Sequence, residues 1–243
     1  MKEFARIFTV LATALVLIAA PARADERETG TVIVEEWVEV PATRFVTPEN
    51  LGVDLAPAPI DTFGPFRVID GKHAALVGVT DEASPAAFGA MMAAYPGLQV
   101  LRLVEAPGTY DDRANLALGR MIRAAGLETH VPAGGSVRSG AVELVFAGTA
   151  WRIDEGAEFA VHAWQDDLGQ GASDYAADAP EHHKYLAYYA EMGLDPAQAQ
   201  AFYAMTNAAP FEAPRWLDAS EMRGWLGLEG EADNAPQIAY AAL

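Results

Sequence analysis

The sequence predicts an α/β fold with largely parallel strands and helices packed on the sheet. From residue 66 onward, short runs of apolar and β-branched residues alternate with segments that have helical periodicity. This alternation is typical of strand–helix–strand units whose strands lie parallel, and the connections of such units turn right-handed. Because 51% of the residues are hydrophobic, the chain can also bury one sizeable core.

A short charged start followed by an apolar run predicts a signal peptide over residues 1–24. Lys2 and Arg6 precede the apolar run 7–20, and the small residues of Ala22-Arg23-Ala24 suit a cleavage site. The run is shorter than the roughly 20 residues that a membrane-spanning helix needs. We therefore expect export to the periplasm and no stable membrane insertion after cleavage, with an uncleaved anchor as the alternative.

The charge balance is strongly acidic. The chain has 16 Lys and Arg against 34 Asp and Glu, a formal charge of −18, and loss of a leader with a net charge of +2 takes the mature chain to −20. Such a surface repels nucleic acid and anionic membranes, so we expect no nucleic-acid partner. The sequence has no cysteine, which excludes disulfides, thiol nucleophiles and thiolate metal sites.

Two further patterns argue against a cofactor or a metal. His182 and His183 are adjacent on a predicted helix, so their side chains point about a third of a turn apart rather than to one face. The Gly134-Gly135 turn lacks the lysine and the spacing of a phosphate-binding loop. We therefore expect neither a cofactor nor a metal ion.

The mature chain is predicted to have three parts. Residues 25–65 comprise an N-terminal strand, at 31–40, and an irregular arm, at 41–65, which is rich in proline. Residues 66–228 form the α/β domain. Residues 229–243 are an acidic tail without periodicity, which we expect to be loose.

The strands of the domain are predicted from short apolar runs bounded by turn residues. Gly71 and Lys72 form the turn of a first hairpin. The predicted strands are 66–70, 73–79, 98–104, 128–132, 151–153, 159–163 and 215–217.

The helices of the domain are predicted from their apolar stripes and their start signals. Ser84 supplies an N-cap before Pro85, and Leu118 and Ile122 belong to a buried stripe. Residues 165–180, rich in Gly, Ala and Asp, show no period and are expected to form a mobile excursion. The predicted helices are 84–95, 112–125, 139–148, 180–192, 196–207 and 218–225.

Ser139 and His162 are the residues that suggest chemistry. Ser139 begins the predicted helix 139–148, and His162 follows it at the end of a predicted strand. A serine hydroxyl is a poor nucleophile until a neighbouring base takes its proton. Backbone amides at the helix start and in the turn around Gly108 can stabilise an oxyanion. The alternative is structural: an ordinary serine N-cap and a histidine satisfied at a strand end.

An ordered set of motifs extends this pattern. It comprises the turn Ala106-Pro107-Gly108-Thr109, the segment Asn115-Leu116-Ala117-Leu118, Arg138-Ser139-Gly140-Ala141 with Ala147-Gly148 beyond it, and Val161-His162. In this order the motifs resemble the periplasmic branch of the Clp-type protease and crotonase superfamily, over residues 98–228. The resemblance implies a core of repeated β-β-α units wound into a spiral, with the late helices packed on it.

The resemblance also implies a function and the roles of individual residues. It implies a peptidase-like serine hydrolase that cleaves peptide or ester bonds through an acyl-enzyme. Ser139 would be the nucleophile and His162 the general base. The oxyanion hole would comprise Gly108, Thr109 and Gly140.

The third member of a triad is open. Relatives place an acid that orients the histidine just before the last strand, and the nearest acid here is Glu212. A strict alignment on Arg215-Trp216-Leu217 instead puts Pro214 at that position, which leaves Glu212 or Asp218 as substitutes. We take Glu212 as the predicted third residue, although loop acids of this kind are more often solvated.

Departures from the superfamily pattern favour an alternative function. Thr109 stands where relatives have a second glycine, Val137 and Ala141 stand where they often have cysteines, and Arg138 beside the serine is unusual. A catalytically inactive binding or scaffold protein is therefore the second reading. An acyl-coenzyme A enzyme is disfavoured because the chain has no basic patch for the cofactor's phosphates. Since relatives form trimers or rings, we expect a homo-oligomer.

Overall fold

The computed structural model describes residues 58–166 and 168–228. The predicted signal peptide, the strand at 31–40 and the acidic tail lie outside these residues, as does most of the predicted arm. The end of that arm differs from the prediction, because it forms a strand, β1 (Asp61–Phe63). β1 pairs antiparallel with β2 (Phe66–Val68), so the sheet begins earlier than the sequence indicated.

The strands of the described part form one nine-stranded sheet. After β1 and β2 they are β3 (His73–Val77), β4 (Val100–Ala106), β5 (Glu128–Val131), β6 (Ser136–Arg138), β7 (Ala150–Ile153), β8 (Glu158–Val161) and β9 (Arg215–Asp218). β3 to β8 pair parallel with one another, whereas the pairs β1–β2, β2–β3 and β8–β9 are antiparallel. The predicted α/β fold with largely parallel strands is thereby confirmed.

The sheet divides at β4. The first part of this strand pairs with β5 through Val100, Leu101 and Arg102, and its last two residues, Glu105 and Ala106, pair with β6. β7 then extends the β5 branch and β8 extends the β6 branch. The end of the β6–β8 branch is where the chain presents both Ser139 and His162.

Six α-helices accompany the sheet in the described part. They are α1 (Ser84–Ala94), α2 (Asp112–Ala124), α3 (Ala141–Phe146), α4 (Pro180–Glu191), α5 (Pro196–Asn207) and α6 (Ala219–Trp225). All except α3 match the predicted helices to within one residue at each end. Ser84, however, is not the N-cap of α1: Ala83 occupies that position, and the Ser84 hydroxyl donates to Asp81 instead.

The segment around Ser139 differs most from its prediction. The helix predicted over 139–148 begins only at Ala141, and an unpredicted strand, β6, precedes it. The amide of Ser139 donates to the Ala160 carbonyl oxygen at 2.8 Å, which continues the β6–β8 ladder by one bond. Ser139 is therefore tied to the sheet, and the helix starts after Gly140.

The late helices pack on the core through aromatic side chains. Phe146 of α3 lies edge-to-face with Tyr189 of α4 and Phe202 of α5, with ring centroids 5.7 and 4.8 Å apart. Tyr188 lies so close to Gly119 of α2 that a Cβ at Gly119 would overlap its hydroxyl oxygen. That hydroxyl donates to the Glu143 carbonyl oxygen at 2.8 Å. α4 thus joins α2 and α3 into one wall.

The predicted excursion at 165–180 has defined turns in the structure. Asp166 Oδ1 accepts hydrogen bonds from the amides of Leu168 and Gln170, and Asp166 Oδ2 accepts one from the Tyr175 hydroxyl. A short 3₁₀ helix, Ala172–Asp174, follows. Among the helices of the described residues, none combines the length and the apolar character needed to cross a bilayer.

Candidate active site

Ser139 lies in a strained turn between β6 and α3. Its φ of +50° is the only positive φ of a non-glycine residue in residues 58–166 and 168–228. Such a conformation costs about 1–3 kcal/mol and persists only where the surroundings fix it. Two backbone bonds do so, from Ser139 N to the Ala160 oxygen and from Val142 N to the Ser139 oxygen. The side chain is half-buried at the start of a cavity described below.

Gly108 packs directly against this serine. A Cβ at Gly108 would lie 3.1 Å from Ser139 Cβ and 3.5 Å from its Oγ, and Gly108 has a φ of +141° that side chains rarely allow. The Gly108 carbonyl oxygen accepts a 3.0 Å bond from the Thr80 amide. Because a trans peptide points its N–H opposite to its C=O, the Thr109 amide points away from Thr80.

A buried side-chain pair holds the two backbone segments on either side of the serine. The Thr80 hydroxyl donates to Asn115 Oδ1 at 2.9 Å, and Asn115 Nδ2 donates to the Gly140 carbonyl oxygen at 2.5 Å. Thr80 and Asn115 are almost fully buried. The pair therefore connects the 108–109 turn to the start of α3 without contact with solvent.

The amides predicted to form the oxyanion hole are available. Within the described residues, neither the Thr109 amide nor the Gly140 amide donates to another group. The two segments are in close contact, since a Cβ at Gly140 would lie 2.5 Å from Thr109 Cγ2. Thr109, at the position where the resemblance predicts a second glycine, thus fills the space beside Gly140, while its own hydroxyl bonds to the Thr80 and Asp111 oxygens.

His162 follows the last residue of β8. Its Nδ1 lies 2.8 Å from the Ala163 carbonyl oxygen, which can only accept, so Nδ1 carries the proton and Nε2 has the free lone pair. The Phe211 ring packs edge-to-face on the imidazole, with centroids 4.7 Å apart. The backbone carbonyl thus fixes the tautomer that a general base needs.

Ser139, Gly140, Thr109 and His162 line one cavity of about 450 Å³. In the part of the chain that the structure describes, no hydrogen bond joins the Ser139 hydroxyl to His162. The structure therefore brings the predicted nucleophile, base and oxyanion donors to one cavity, without a hydrogen bond between the serine hydroxyl and the imidazole.

The candidate acids are elsewhere. Glu212 is exposed, does not line the cavity and has no hydrogen bond to His162 among the described residues. Asp218 caps α6 by accepting from the Glu221 amide at 2.8 Å. The role of Glu212 as an orienting acid has no contact in its support and stays a prediction.

Arg138 neither enters the cavity nor points at the predicted oxyanion hole. It forms an ion pair with Glu105 at 2.5 Å and donates to Ser136 Oγ at 2.7 Å. Burial raises the pKa of Glu105, although the charge of Arg138 opposes that shift. Arg138 is therefore part of the support beneath the Ser139 turn.

Four carboxyl groups that line the cavity were not predicted from the sequence: Asp111, Asp112, Glu143 and Asp166. Tyr185 donates to Asp112 Oδ2, and Tyr189 donates to Glu143 Oε1 at 2.8 Å. Burial raises the pKa of Glu143 to about 8, and the charge of Asp112 acts in the same direction. The sequence signal that could have identified Glu143 is its position as the one acid in the apolar run 141–147.

Of the two adjacent histidines, His182 has a hydrogen-bond partner in the protein. His182 is buried, and its Nδ1 lies 2.7 Å from the Tyr203 hydroxyl. Over the described residues, no three His, Cys, Asp or Glu side chains gather as metal ligands would.

No protein-family model matches the chain, and no curated protein matches it. Similar solved structures include the 1510-N membrane-bound stomatin-specific protease in complex with a substrate peptide, at 15% identity, a TM-score of 0.41, and coverage of 62% of this chain and 71% of that one. The corresponding protease from Pyrococcus horikoshii, specific for a stomatin homolog, has 12% identity, a TM-score of 0.40, and coverage of 62% and 68%.

An enoyl-CoA hydratase from Shewanella pealeana is also similar, at 14% identity, a TM-score of 0.43, and coverage of 68% of this chain and 66% of that one. These neighbours include both a protease and a hydratase.

Proposed function

We propose that this protein is an exported, periplasmic serine hydrolase that cleaves peptide or ester bonds through an acyl-enzyme. The observation that carries the proposal is the strained turn at Ser139, which lies against Gly108 and shares a cavity with His162. Backbone strain is retained where function requires one side-chain position. A serine that only capped a helix would not need a positive φ, and the N-cap position here belongs to Gly140.

In this proposal each group of the site has a role. Ser139 Oγ attacks the substrate carbonyl carbon while His162 Nε2 takes the hydroxyl proton. The amides of Thr109 and Gly140 donate to the oxyanion that forms. The imidazolium gives its proton to the leaving amine or alcohol, and water then releases the acyl group by the same steps. Substrate binding has to form the hydrogen bond between Oγ and Nε2, since catalytic hydrogen bonds commonly tighten when the substrate binds.

The active-site test is covalent labelling with a fluorophosphonate probe. Wild-type protein is expected to be labelled, Ser139→Ala is expected not to be, and Ser220→Ala, a change of an exposed serine in α6, is expected to behave as wild type. Equal labelling of wild type and Ser139→Ala would overturn the proposal. Cell fractionation for the periplasmic fraction tests the export that the first 24 residues suggest.

A homo-oligomer, a trimer or ring, is part of the proposal. Large apolar side chains are exposed near the cavity and on β9: Tyr110, Leu168, Phe211 and Trp216. Burial of these side chains between copies would stabilise an oligomer. Light scattering coupled to size-exclusion chromatography measures the mass directly, and a monomer would contradict this part.

The second candidate is a catalytically inactive binding protein. Two observations favour it: no acid contacts His162, and the Ser139 hydroxyl does not bond to the imidazole in the described residues. Such a protein would bind peptides in the cavity without turnover. Hydrolysis of any ester or peptide by the wild type, lost in His162→Ala, would exclude this candidate.

A further inference from the structure

We propose that the end of the cavity formed by Asp112 and Glu143, here called the acidic end, binds a cationic group of the substrate. The group would be an ammonium or a guanidinium, as in the side chains of lysine and arginine. That the cationic group belongs to a substrate rests on the proposed hydrolase function. Binding of the cation at the acidic end does not itself depend on turnover.

The first step is the unmet hydrogen-bonding capacity of Glu143. Its Oε2 is buried and has no partner in residues 58–166 and 168–228, although the residue as a whole keeps some exposure where it lines the cavity. Tyr189 supplies only one proton, to Oε1. A buried carboxyl oxygen without a partner is costly, so a donor in the cavity would be bound favourably once the Glu143 side chain turns Oε2 toward it.

The second step is the charge of that donor. Asp112 lies next to Gly140, since a Cβ at Gly140 would be 3.4 Å from Asp112 Oδ1. No Lys or Arg of the described residues forms a salt bridge with Asp112 or Glu143. Two carboxyl groups without a basic partner favour a cation over a neutral donor and disfavour an anion.

The third step is the aromatic wall beside the acidic end. Tyr185 donates to Asp112 and also carries a cation on its ring: the Lys184 ammonium lies 4.8 Å from the Tyr185 centroid and 5.5 Å from that of Trp164. The wall therefore already accommodates one ammonium by cation–π contact. A substrate cation would use the carboxyl groups that Lys184 does not reach.

The acidic end also affects the proposed chemistry. Negative charge beside Gly140 would oppose an oxyanion at the Gly140 amide. A bound cation neutralises that charge, so cationic substrates gain in the transition state as well as in binding.

Binding of the cation should be linked to proton release. Burial raises the pKa of Glu143 to about 8, and a bound cation lowers it again because the cation favours the carboxylate. Affinity is therefore expected to rise between about pH 6 and about pH 8. The titratable groups that face Glu143 include Asp112 from α2 and, from α4, Tyr185, Tyr188 and Tyr189, whose pKa values burial raises above the usual range.

The test is calorimetry on the full chain carrying Ser139→Ala, with n-butylguanidinium and its neutral isostere n-butylurea as probes. The guanidinium is expected to bind at least about tenfold more tightly and to release a proton, as seen from the dependence of the heat on the buffer. Adding Glu143→Gln or Asp112→Asn should remove the preference, and Glu143→Gln should also remove the proton release. Adding Glu82→Gln, which changes an exposed acid outside the cavity, should alter neither.

Equal affinity for the two probes, or an unchanged preference in both cavity variants, would overturn the inference. Thermal melts check that each variant is folded, and two independent variants keep the test decisive if one is not. Ester hydrolysis by the wild type separates the two proposals. Binding of the cation without any hydrolysis would contradict the hydrolase proposal and support cation binding at the acidic end. Equal kcat/KM for lysine and norleucine esters would contradict cation binding at the acidic end and support the hydrolase proposal.

Discussion

His162 Nδ1 lies 2.8 Å from the carbonyl oxygen of the next residue, Ala163. The imidazole is therefore oriented by its own backbone, in the position where serine hydrolases commonly use a carboxylate. A carbonyl fixes the tautomer but offers less stabilisation to an imidazolium than a charged acid does. The proposed site is therefore a serine–histidine pair without an orienting acid.

The first prediction concerns Glu212. Glu212→Gln is expected to leave kcat/KM for an ester within about twofold of wild type, because this exposed carboxylate has no contact with the imidazole. His162→Ala is expected to lower kcat/KM at least about a hundredfold. A large loss in Glu212→Gln would show that the 211–214 loop moves to orient the histidine and would restore Glu212 as the third member.

The second prediction concerns the contact between Gly140 and Thr109. Gly140→Ala is expected to lower the free energy of unfolding by about 1–3 kcal/mol, because its Cβ would lie 2.5 Å from Thr109 Cγ2. Thr109→Ser removes that methyl and keeps the hydroxyl, so the double variant should recover much of the loss. Urea denaturation measures this, with Gly71→Ala as a control where a Cβ meets open space. Additive losses in the double variant would contradict the explanation.

The third prediction concerns Thr80 as a positioning residue for the predicted oxyanion hole. Thr80→Val removes the donor to Asn115 Oδ1 and leaves that buried oxygen unpaired, at a cost of about 1–3 kcal/mol. The Asn115 contact with the Gly140 carbonyl should then loosen, so kcat is expected to fall at least about tenfold with little change in KM. Thr80→Ser keeps the hydroxyl and should retain most of kcat. Equal kcat in the two variants would limit Thr80 to a structural role.

The fourth prediction concerns stability and pH. The folded chain holds a proton on Glu143 up to about pH 8, whereas the unfolded chain loses it near the usual pKa of 4.5. Between those values the folded state binds more protons, so this group makes the free energy of unfolding fall as pH rises. Glu143→Gln removes the contribution of this group to the pH dependence of the free energy of unfolding.

The comparison is therefore between wild type and Glu143→Gln at about pH 5.5 and about pH 7.5. The stability of wild type relative to the variant is expected to fall on the order of 2 kcal/mol between the two conditions. Urea denaturation at each pH measures the difference. Parallel curves would mean that Glu143 titrates normally in the folded chain.

The fold was predictable where a segment carries its own signal. α2 shows an apolar stripe that includes Leu118 and Ile122, both buried, and α5 begins with the capping residue Asp195 before Pro196. Such local patterns determine helix position with little help from the rest of the molecule. The predicted bounds of these helices were correct to within one residue.

The site was predictable only in part, for a physical reason. β6 has three residues, too few to show a period in the sequence. It is a strand because it pairs with β4 and β8, and those bonds form only in the folded chain. The contacts of Glu143 with Tyr189, and of Asp112 with Tyr185, join residues far apart in sequence. Residue types suggested Ser139 and His162, but only tertiary structure could show which acids accompany them.

The pairing of β6 with β8 has one more consequence. Arg138 lies opposite Ala160, so Ser139 and His162 emerge from adjacent strands, and their separation in space is set by strand register. The length of the chain between them, which runs through α3 and β7, does not affect that separation as long as the chain returns to the same register. Insertions and deletions between Ser139 and His162 therefore need not change their separation in space. A sequence search that requires a fixed number of residues between the serine and the histidine would overlook relatives that keep the same pair.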